Sequence, residues 1–140
     1  MTDKDVSQYI AATFAEAQSA GADGNSFFFF RDDRKLPFAT LVTNDMYDQF
    51  SDLDRPSVFR LNVGVTKETF ERVVGRDAMD AKHDFAAFDR IMPHPVYGRM
   101  HWVCVLNPTE GTFQTVKSLL NEAFDLAAKR NTKSDKDTPA

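Results

Sequence analysis

The chain has 140 residues, of which 42% are hydrophobic and 27% charged, and its formal net charge is −4. These values are typical of one globular domain with a single core. The acidic balance disfavours binding to nucleic acid or to an anionic membrane surface, because both require a net basic field.

The N-terminal segment carries charged residues where a signal peptide would have its apolar core. No apolar stretch approaches the ~20 residues that a membrane span requires. Cys104 is the single cysteine, and alone it can form neither an internal disulfide nor a thiolate metal site. We therefore expect a cytoplasmic protein without a membrane segment.

The first predicted element is a helix over residues 3–20, whose apolar side chains recur at helical spacing and which Gly21 would end. The sheet is predicted to begin at the run Phe27–Phe30. Successive strand residues point to opposite faces, so two of these rings lie on each side and both faces need cover. The charged run 31–35 predicts a hairpin loop that leads into a second strand over 37–43.

The polar segment 44–56 predicts a loop of a length that is often functional or packed as an Ω-loop. The next strand, over 58–65, alternates clearly. Its apolar face comprises Phe59, Leu61, Val63 and Val65. Arg60 and Asn62 lie on the other face, which we expect to be the more open side of the sheet.

Thr66 is predicted to cap a short helix that Gly75 ends. Asp84 is expected to cap another short helical piece. The last predicted strand covers 100–106, and Thr112 would cap the final helix.

Residues 131–140 contain no apolar anchor and are predicted to form a disordered tail after a domain of residues 1–130. Helices at both ends of an antiparallel sheet of about four or more strands predict an α+β two-layer sandwich. Both terminal helices would pack on one face of the sheet.

The matching segments for a first resemblance are 58–62, 69–70, 101–103 and 119–124. With this order of elements, the chain resembles the MmcQ/YjbR-like proteins. That resemblance implies a CyaY-like fold and, because such proteins are often described as double-wing DNA-binding domains, a DNA-binding or regulatory role. The segments DRPSVFRLN (54–62), PHPVYG (93–98) and HWVCVLNP (101–108) are similar to those of an uncharacterised bacterial family, which implies no known activity.

The best candidate site includes the segment 93–101, in which two prolines stiffen the chain around an imidazole. The predicted ligand-binding residues are Arg60, Asn62, His94, Tyr97 and His101. Together they could form an anion-binding or acid/base site on the open sheet face.

A purely structural interpretation of the same residues is also available. Arg60 would then pair with Asp54 or Asp89, while His94 and Tyr97 would pack the loop.

Other candidate chemistry is weaker. A metal site from His83, Asp84, His94 and His101 lacks specific ligand spacing, so we predict no metal and no cofactor. Cys104 lies among apolar strand residues and is expected to be an inert, buried thiol. A basic hairpin formed by Arg31, Arg34 and Lys35 could contact phosphates, but two aspartates in the same loop cancel most of its charge.

The sequence thus predicts a binding domain for a small anionic ligand or a protein partner, with a homodimer as one possibility. Two alternatives remain open. One is a DNA-binding or regulatory module of the double-wing kind, and the other is a small enzyme that uses His94 or His101 as acid or base.

Overall fold

A computed structural model describes residues 1–137. Its elements are α1 (Asp3–Thr13), β1 (Ala17–Ala22), β2 (Asn25–Phe30), β3 (Ala39–Val42), β4 (Arg60–Gly64), α2 (Lys67–Val74), β5 (Met92–Pro93), a 3-10 turn (Gly98–Met100), β6 (Trp102–Leu106) and α3 (Glu110–Asp137). The strands form one antiparallel sheet in the order β1-β2-β3-β4-β6-β5. This confirms the predicted α+β class. Among the described residues, no helix combines the length and the apolar character needed to cross a membrane.

The two terminal helices pack on one face of the sheet, which we call the helix face. Tyr9 of α1 meets Phe113 of α3 edge-on, with ring centroids 5.3 Å apart. Phe14 stacks on Phe124 at 4.8 Å. These helices share one buried cluster with the strands, to which β4 contributes Leu61 and Val63. The prediction that both terminal helices cover the same face is confirmed.

The predicted helix over 3–20 is wrong in its second half. The capping box at Thr2 is present, but α1 ends at Thr13 and residues Ala17–Ala22 form strand β1. Positive φ angles at Asp23 and Gly24, 54° and 84°, make the tight turn that returns β1 onto β2. Backbone pairing along the whole of β1 therefore overrides the helical spacing of its small side chains. Gly21 lies inside this strand, and the sheet begins at β1 rather than at the phenylalanine run.

The phenylalanines of β2 do serve both faces. Phe28 and Phe30 belong to the helix-face cluster. Phe29 is buried on the opposite side, where the Arg34 guanidinium lies 5.3 Å from its ring centroid. Phe27 is half-buried and meets the ring of Tyr47 edge-on at 5.8 Å. The predicted cover on both sides of this strand is confirmed.

The C-terminal helix begins earlier and ends later than expected. The Thr109 hydroxyl accepts the N–H of Thr112 at 3.3 Å, so Thr109 rather than Thr112 caps α3. The helix continues to Asp137, past the predicted boundary at 130, and residues 138–140 lie outside the described residues. The predicted helical piece at Asp84 is a turn instead, closed by the Ala87 N–H on the Asp84 carbonyl at 3.1 Å.

The second face of the sheet, which we call the loop face, is covered by two irregular segments. These are the β3–β4 loop, residues 43–59, and the α2–β5 segment, residues 75–91. The Arg55 guanidinium joins them by donating to the carbonyls of Ser51 and Ala86, both at 3.1 Å. A small apolar cluster packs beneath them, made of Val42, Leu53, Val58, Met92, Cys104 and Leu106. The expected open face is therefore wrong, since Arg60 and Asn62 are only 1% and 2% exposed.

Candidate ligand-binding pocket

A cavity of about 420 Å³ lies on the loop face, with strands β3, β4 and β6 beneath it. Its polar lining comprises Thr40, Asp48, Arg60, Asn62 and His94. Its other lining residues are Phe27, Leu36, Pro37, Val42, Tyr47, Val96, Tyr97, Met100 and Trp102. Four of the five predicted site residues thus meet at one cavity, and His101 does not.

Arg60 forms the centre of the polar floor. The alternation of β4 turns its side chain away from the helix face and beneath the β3–β4 loop. Its guanidinium makes a two-pronged ion pair with Asp48, Nη1 to Oδ1 at 3.0 Å and Nη2 to Oδ2 at 2.6 Å. Nη1 also donates to the Ser51 hydroxyl at 2.8 Å. The partner of Arg60 is therefore Asp48, and the expected pairing with Asp54 or Asp89 is wrong.

The Asp48 carboxylate is held in its charged form. Burial opposes its ionisation, but the hydrogen bonds and the positive charge of Arg60 outweigh burial, so the pKa of Asp48 lies below its ordinary value. Its side chain is 8% exposed. The ion pair fastens the β3–β4 loop to the floor of the cavity.

Asn62 and Thr40 hold the Arg60 side chain from the other side. Asn62 Oδ1 accepts the Arg60 Nε–H at 3.0 Å, and its Nδ2 donates to the Thr40 hydroxyl at 2.9 Å. Thr40 and Asn62 are cross-strand partners in β3 and β4, so their side chains share a face. Asn62 therefore positions the guanidinium.

His94 follows the short strand β5 and caps the turn after it. Its Nδ1 accepts the backbone N–H groups of Val96 and Tyr97, both at 3.0 Å. Burial, followed by the positive charge of Arg60, lowers the pKa of His94 to about 4. The imidazole is therefore neutral at neutral pH, and its single proton must reside on Nε2.

The Nε2 atom of His94 lies 3.5 Å from Nη2 of Arg60. With Nδ1 acting as the acceptor, Nε2 carries a hydrogen, and the guanidinium nitrogen is a donor in every state. The two groups cannot bond to each other. They form a pair of N–H donors at the floor of the cavity.

The walls are aromatic and aliphatic, and much of the rim is exposed. Tyr47, Tyr97 and Met100 are 54%, 52% and 62% exposed. The Tyr97 ring lies 5.0 Å from the His94 ring, centroid to centroid. Trp102 packs over Gly64, where a Cβ atom would lie 2.9 Å from the indole Cε2. The cavity therefore combines a polar floor with an apolar mouth.

His101 lies on the other side of its chain segment. It has φ 67°, and its ring meets Phe70 edge-on at 5.7 Å. It lines a smaller cleft of about 220 Å³ together with Lys67 and Arg99. Trp102 follows it directly and faces the main cavity, so the alternation of this segment separates the two residues.

Sequence reasoning did not identify Asp48, Ser51 or Trp102 as part of the site. The polar composition of the β3–β4 loop marked it as a candidate for function, but nothing local distinguishes Asp48 from the other aspartates there. Trp102 lies on the same face of β6 as Cys104. Cys104 is the cross-strand partner of Asn62, so this face of β6 lies beside the polar face of β4. That neighbourhood is the signal from which Trp102 could have been added to the predicted site.

The remaining candidate groups have structural contacts. Cys104 is buried, and burial raises the pKa of its thiol to about 12. His83 Nε2 contacts the Ala78 carbonyl at 2.6 Å. No cluster of three or more potential metal-ligating side chains occurs in the part of the chain that the structure describes. In the basic hairpin, Arg31 pairs with Glu16 and Arg34 donates to Gln18 at 3.4 Å.

No curated protein and no solved structure matches the chain. A family model does match, over residues 1–136, and its description is a family of unknown function. The match covers nearly the whole chain, in keeping with the resemblance to an uncharacterised family. The chain therefore belongs to the DUF6194 family.

Proposed function

We propose that the protein binds a small molecule in this cavity, with the polar end of the ligand on Arg60 and His94 and its apolar body against Trp102. The observation that carries this proposal is the pair of N–H donors at the cavity floor. Among the described residues, no protein oxygen accepts a hydrogen bond from His94 Nε2, whose one contact in hydrogen-bond range is Arg60 Nη2 at 3.5 Å. The volume of about 420 Å³ falls in the range of small-molecule sites, and the mostly apolar lining is typical of them.

Asp48 already accepts one hydrogen of Arg60 Nη2 at 2.6 Å, which leaves the second Nη2 hydrogen and the Nε2 hydrogen of His94 to donate to a ligand. Each such hydrogen bond contributes about 0.5–1.5 kcal/mol net. A ligand oxygen can supply the acceptor while the apolar part of the ligand covers the walls. Orientation would come from the floor, and much of the affinity from the aromatic and aliphatic contacts.

The enzyme alternative has less support. A general base works best when its pKa lies near the operating pH, whereas burial lowers the pKa of His94 to about 4. Its Nδ1 is also committed to two backbone N–H groups. His101 lines a different cleft from Arg60 and Asn62.

The double-wing DNA-binding alternative also has less support. The hairpin that would grip phosphates has Arg31 paired with Glu16 and Arg34 bonded to Gln18. The net charge of −4 adds an unfavourable long-range field. A gel-shift assay with duplex DNA at low salt tests it, and a clear shift would favour this function over the one proposed.

The evidence for a protein partner, including a second copy of the chain, is the exposed apolar rim of the cavity. Leu36, Val96 and Met100 are 40%, 50% and 62% exposed at the mouth of the cavity. A homodimer through this rim would compete with ligand entry. Sedimentation across a range of protein concentrations distinguishes the two cases, because the small-molecule proposal needs only a monomer.

The small-molecule proposal can be tested by NMR, since the chain contains one tryptophan and it lines the cavity. A labelled sample gives one indole N–H signal, which reports on Trp102 directly. Titration with small aromatic ketones, amides and carboxylates should shift this signal saturably. Dissociation constants on the order of 1 mM are expected for molecules of this size.

Two neighbouring substitutions provide a matched comparison. Tyr47→Ala removes a wall residue, whereas Met46→Ala removes an exposed side chain of the same loop that does not line the cavity. Binding should weaken in the first variant and stay unchanged in the second. If no compound gives a saturable shift, or if both variants behave alike, the proposal is overturned.

A further inference from the structure

We infer that the polar end of the ligand is an uncharged carbonyl oxygen, as in a ketone, an amide or an ester, which accepts N–H bonds from both His94 and Arg60. This inference rests on the proposed function and specifies its ligand class. It differs from the anionic ligand expected from the sequence, and the reason lies in the charges around the donors.

The positive charge of Arg60 is already balanced within the protein. Asp48 engages both terminal nitrogens of the guanidinium, at 3.0 Å and 2.6 Å, and both side chains are almost fully buried. Ser51 and Asn62 accept further N–H bonds from the same group. One hydrogen on Nη2 remains on the side of His94. It can donate a directed hydrogen bond to a ligand, although the guanidinium charge is already balanced by Asp48.

His94 adds a donor without adding a charge. Protonation of its Nδ1 would bring a third N–H against those of Val96 and Tyr97, which point at this atom. Burial also disfavours the imidazolium form, and the pKa of about 4 agrees with both effects. The floor therefore presents two N–H groups, one neutral and one within a balanced ion pair.

A ligand carboxylate at this position would share one guanidinium with Asp48. Two carboxylates confined at a single buried site repel, and one of them must take up a proton. A carbonyl oxygen accepts the same two N–H bonds and brings no charge into the cavity. Two nitrogens 3.5 Å apart can both donate to one oxygen that lies about 2.9 Å from each of them.

Acetophenone and benzoate provide the direct test, because they have the same number of heavy atoms and differ in charge. Benzamide is a second neutral probe. At neutral pH, the Trp102 indole signal should show acetophenone and benzamide binding about tenfold or more tightly than benzoate. Tighter binding of benzoate would overturn this inference and leave the proposed function standing, whereas no binding by any probe would overturn the proposed function itself.

Substitutions at His94 separate its two nitrogens. In His94→Asn, the amide oxygen can accept the turn N–H groups in place of Nδ1, but the Nε2 donor is lost. Acetophenone affinity should fall about 3- to 10-fold, as for the loss of one hydrogen bond. His94→Gln places a donor near the position of Nε2, so it should bind acetophenone better than His94→Asn and melt at a lower temperature. His101→Asn is the matched control outside the cavity, and equal loss in both asparagine variants would contradict the inference.

Asp48→Asn should remove the preference for acetophenone over benzoate. The substitution keeps the shape of the side chain and removes its charge, which leaves the Arg60 guanidinium unmatched. Benzoate affinity should then rise about tenfold or more, because a hydrogen bond to a charged partner is stronger than a neutral one. An unchanged preference for acetophenone in a folded Asp48→Asn protein would show that Asp48 does not set the ligand charge.

Discussion

The two faces of strand β4 are equally buried but are closed in different ways. On the helix face, Leu61 and Val63 are 0% and 1% exposed and pack against aromatic and aliphatic side chains. On the loop face, Arg60 and Asn62 are 1% and 2% exposed, yet they are held by hydrogen bonds to Asp48, Ser51 and Thr40. Hydrocarbon packing fills the first face, whereas the polar network leaves a cavity on the second. Core positions occupied by polar residues are therefore where a site is to be sought.

The largest expected effect comes from breaking the ion pair on the loop face. Arg60→Met leaves Asp48 buried without its partner, and we expect the free energy of unfolding to fall by about 3–5 kcal/mol. Urea denaturation measures this loss. Replacing both residues, as Arg60→Met with Asp48→Leu, should recover most of it, because the uncompensated charge is gone.

Leu61→Ala is the corresponding change on the helix face of the same strand. It should cost about 2–5 kcal/mol through lost packing and a cavity, and no second substitution at Asp48 should restore it. If Arg60→Met proved as stable as the unaltered protein, the proposed distinction between the two faces would fail.

The second effect is a pH dependence that belongs to the loop face. The pKa of His94 falls from 6.5 to about 4 on folding, so the unfolded chain binds more protons between these values. The contribution of His94 to the free energy of unfolding is therefore fully present above about pH 6.5. It is lost as the pH falls toward 4, and the loss is roughly 3 kcal/mol. Asp48, whose folded pKa is also lowered, contributes a further loss below its ordinary value of 3.8.

Urea denaturation between neutral pH and pH 4 measures the His94 contribution. The dependence should disappear in His94→Asn and persist in His101→Asn, since only the first imidazole is buried beside Arg60. If the pH dependence of stability persisted in His94→Asn, other titratable groups would be its source.

The smallest effect concerns the boundary between the floor and the wall of the cavity. Gly64→Ala places a methyl group 2.9 Å from the Trp102 ring, so the indole must shift. We expect a loss of about 1–3 kcal/mol from overpacking, together with a moved indole signal and weaker ligand binding. Gly111→Ala in α3 is the control, because its added Cβ meets nothing closer than 3.9 Å. Urea denaturation and the indole signal should both leave Gly111→Ala near the unaltered protein.

The parts of the fold that follow from local patterns were predictable. The alternation of 58–65 correctly divided β4 between two faces, whereas Pro93 lies in strand β5 and the turn follows His94. Residues 17–22 were not predictable in this way, because their small side chains fit a helix and only pairing with β2 makes them a strand. The ion-pair partner of Arg60 could not be predicted from the sequence either. Asp48 reaches Arg60 only because of the path that the β3–β4 loop takes, and this path depends on contacts between residues distant in sequence.

The neighbouring positions of Tyr47 and Asp48 have a consequence for the kinetics of ligand exchange. Tyr47 forms part of the mouth of the cavity, and the next residue is bound to Arg60 at its floor. The backbone at Tyr47 cannot swing outward without drawing the Asp48 carboxylate away from the Arg60 guanidinium. For a ligand that enters only when this part of the loop moves outward, separation of the Asp48–Arg60 ion pair would therefore be a step in both entry and departure.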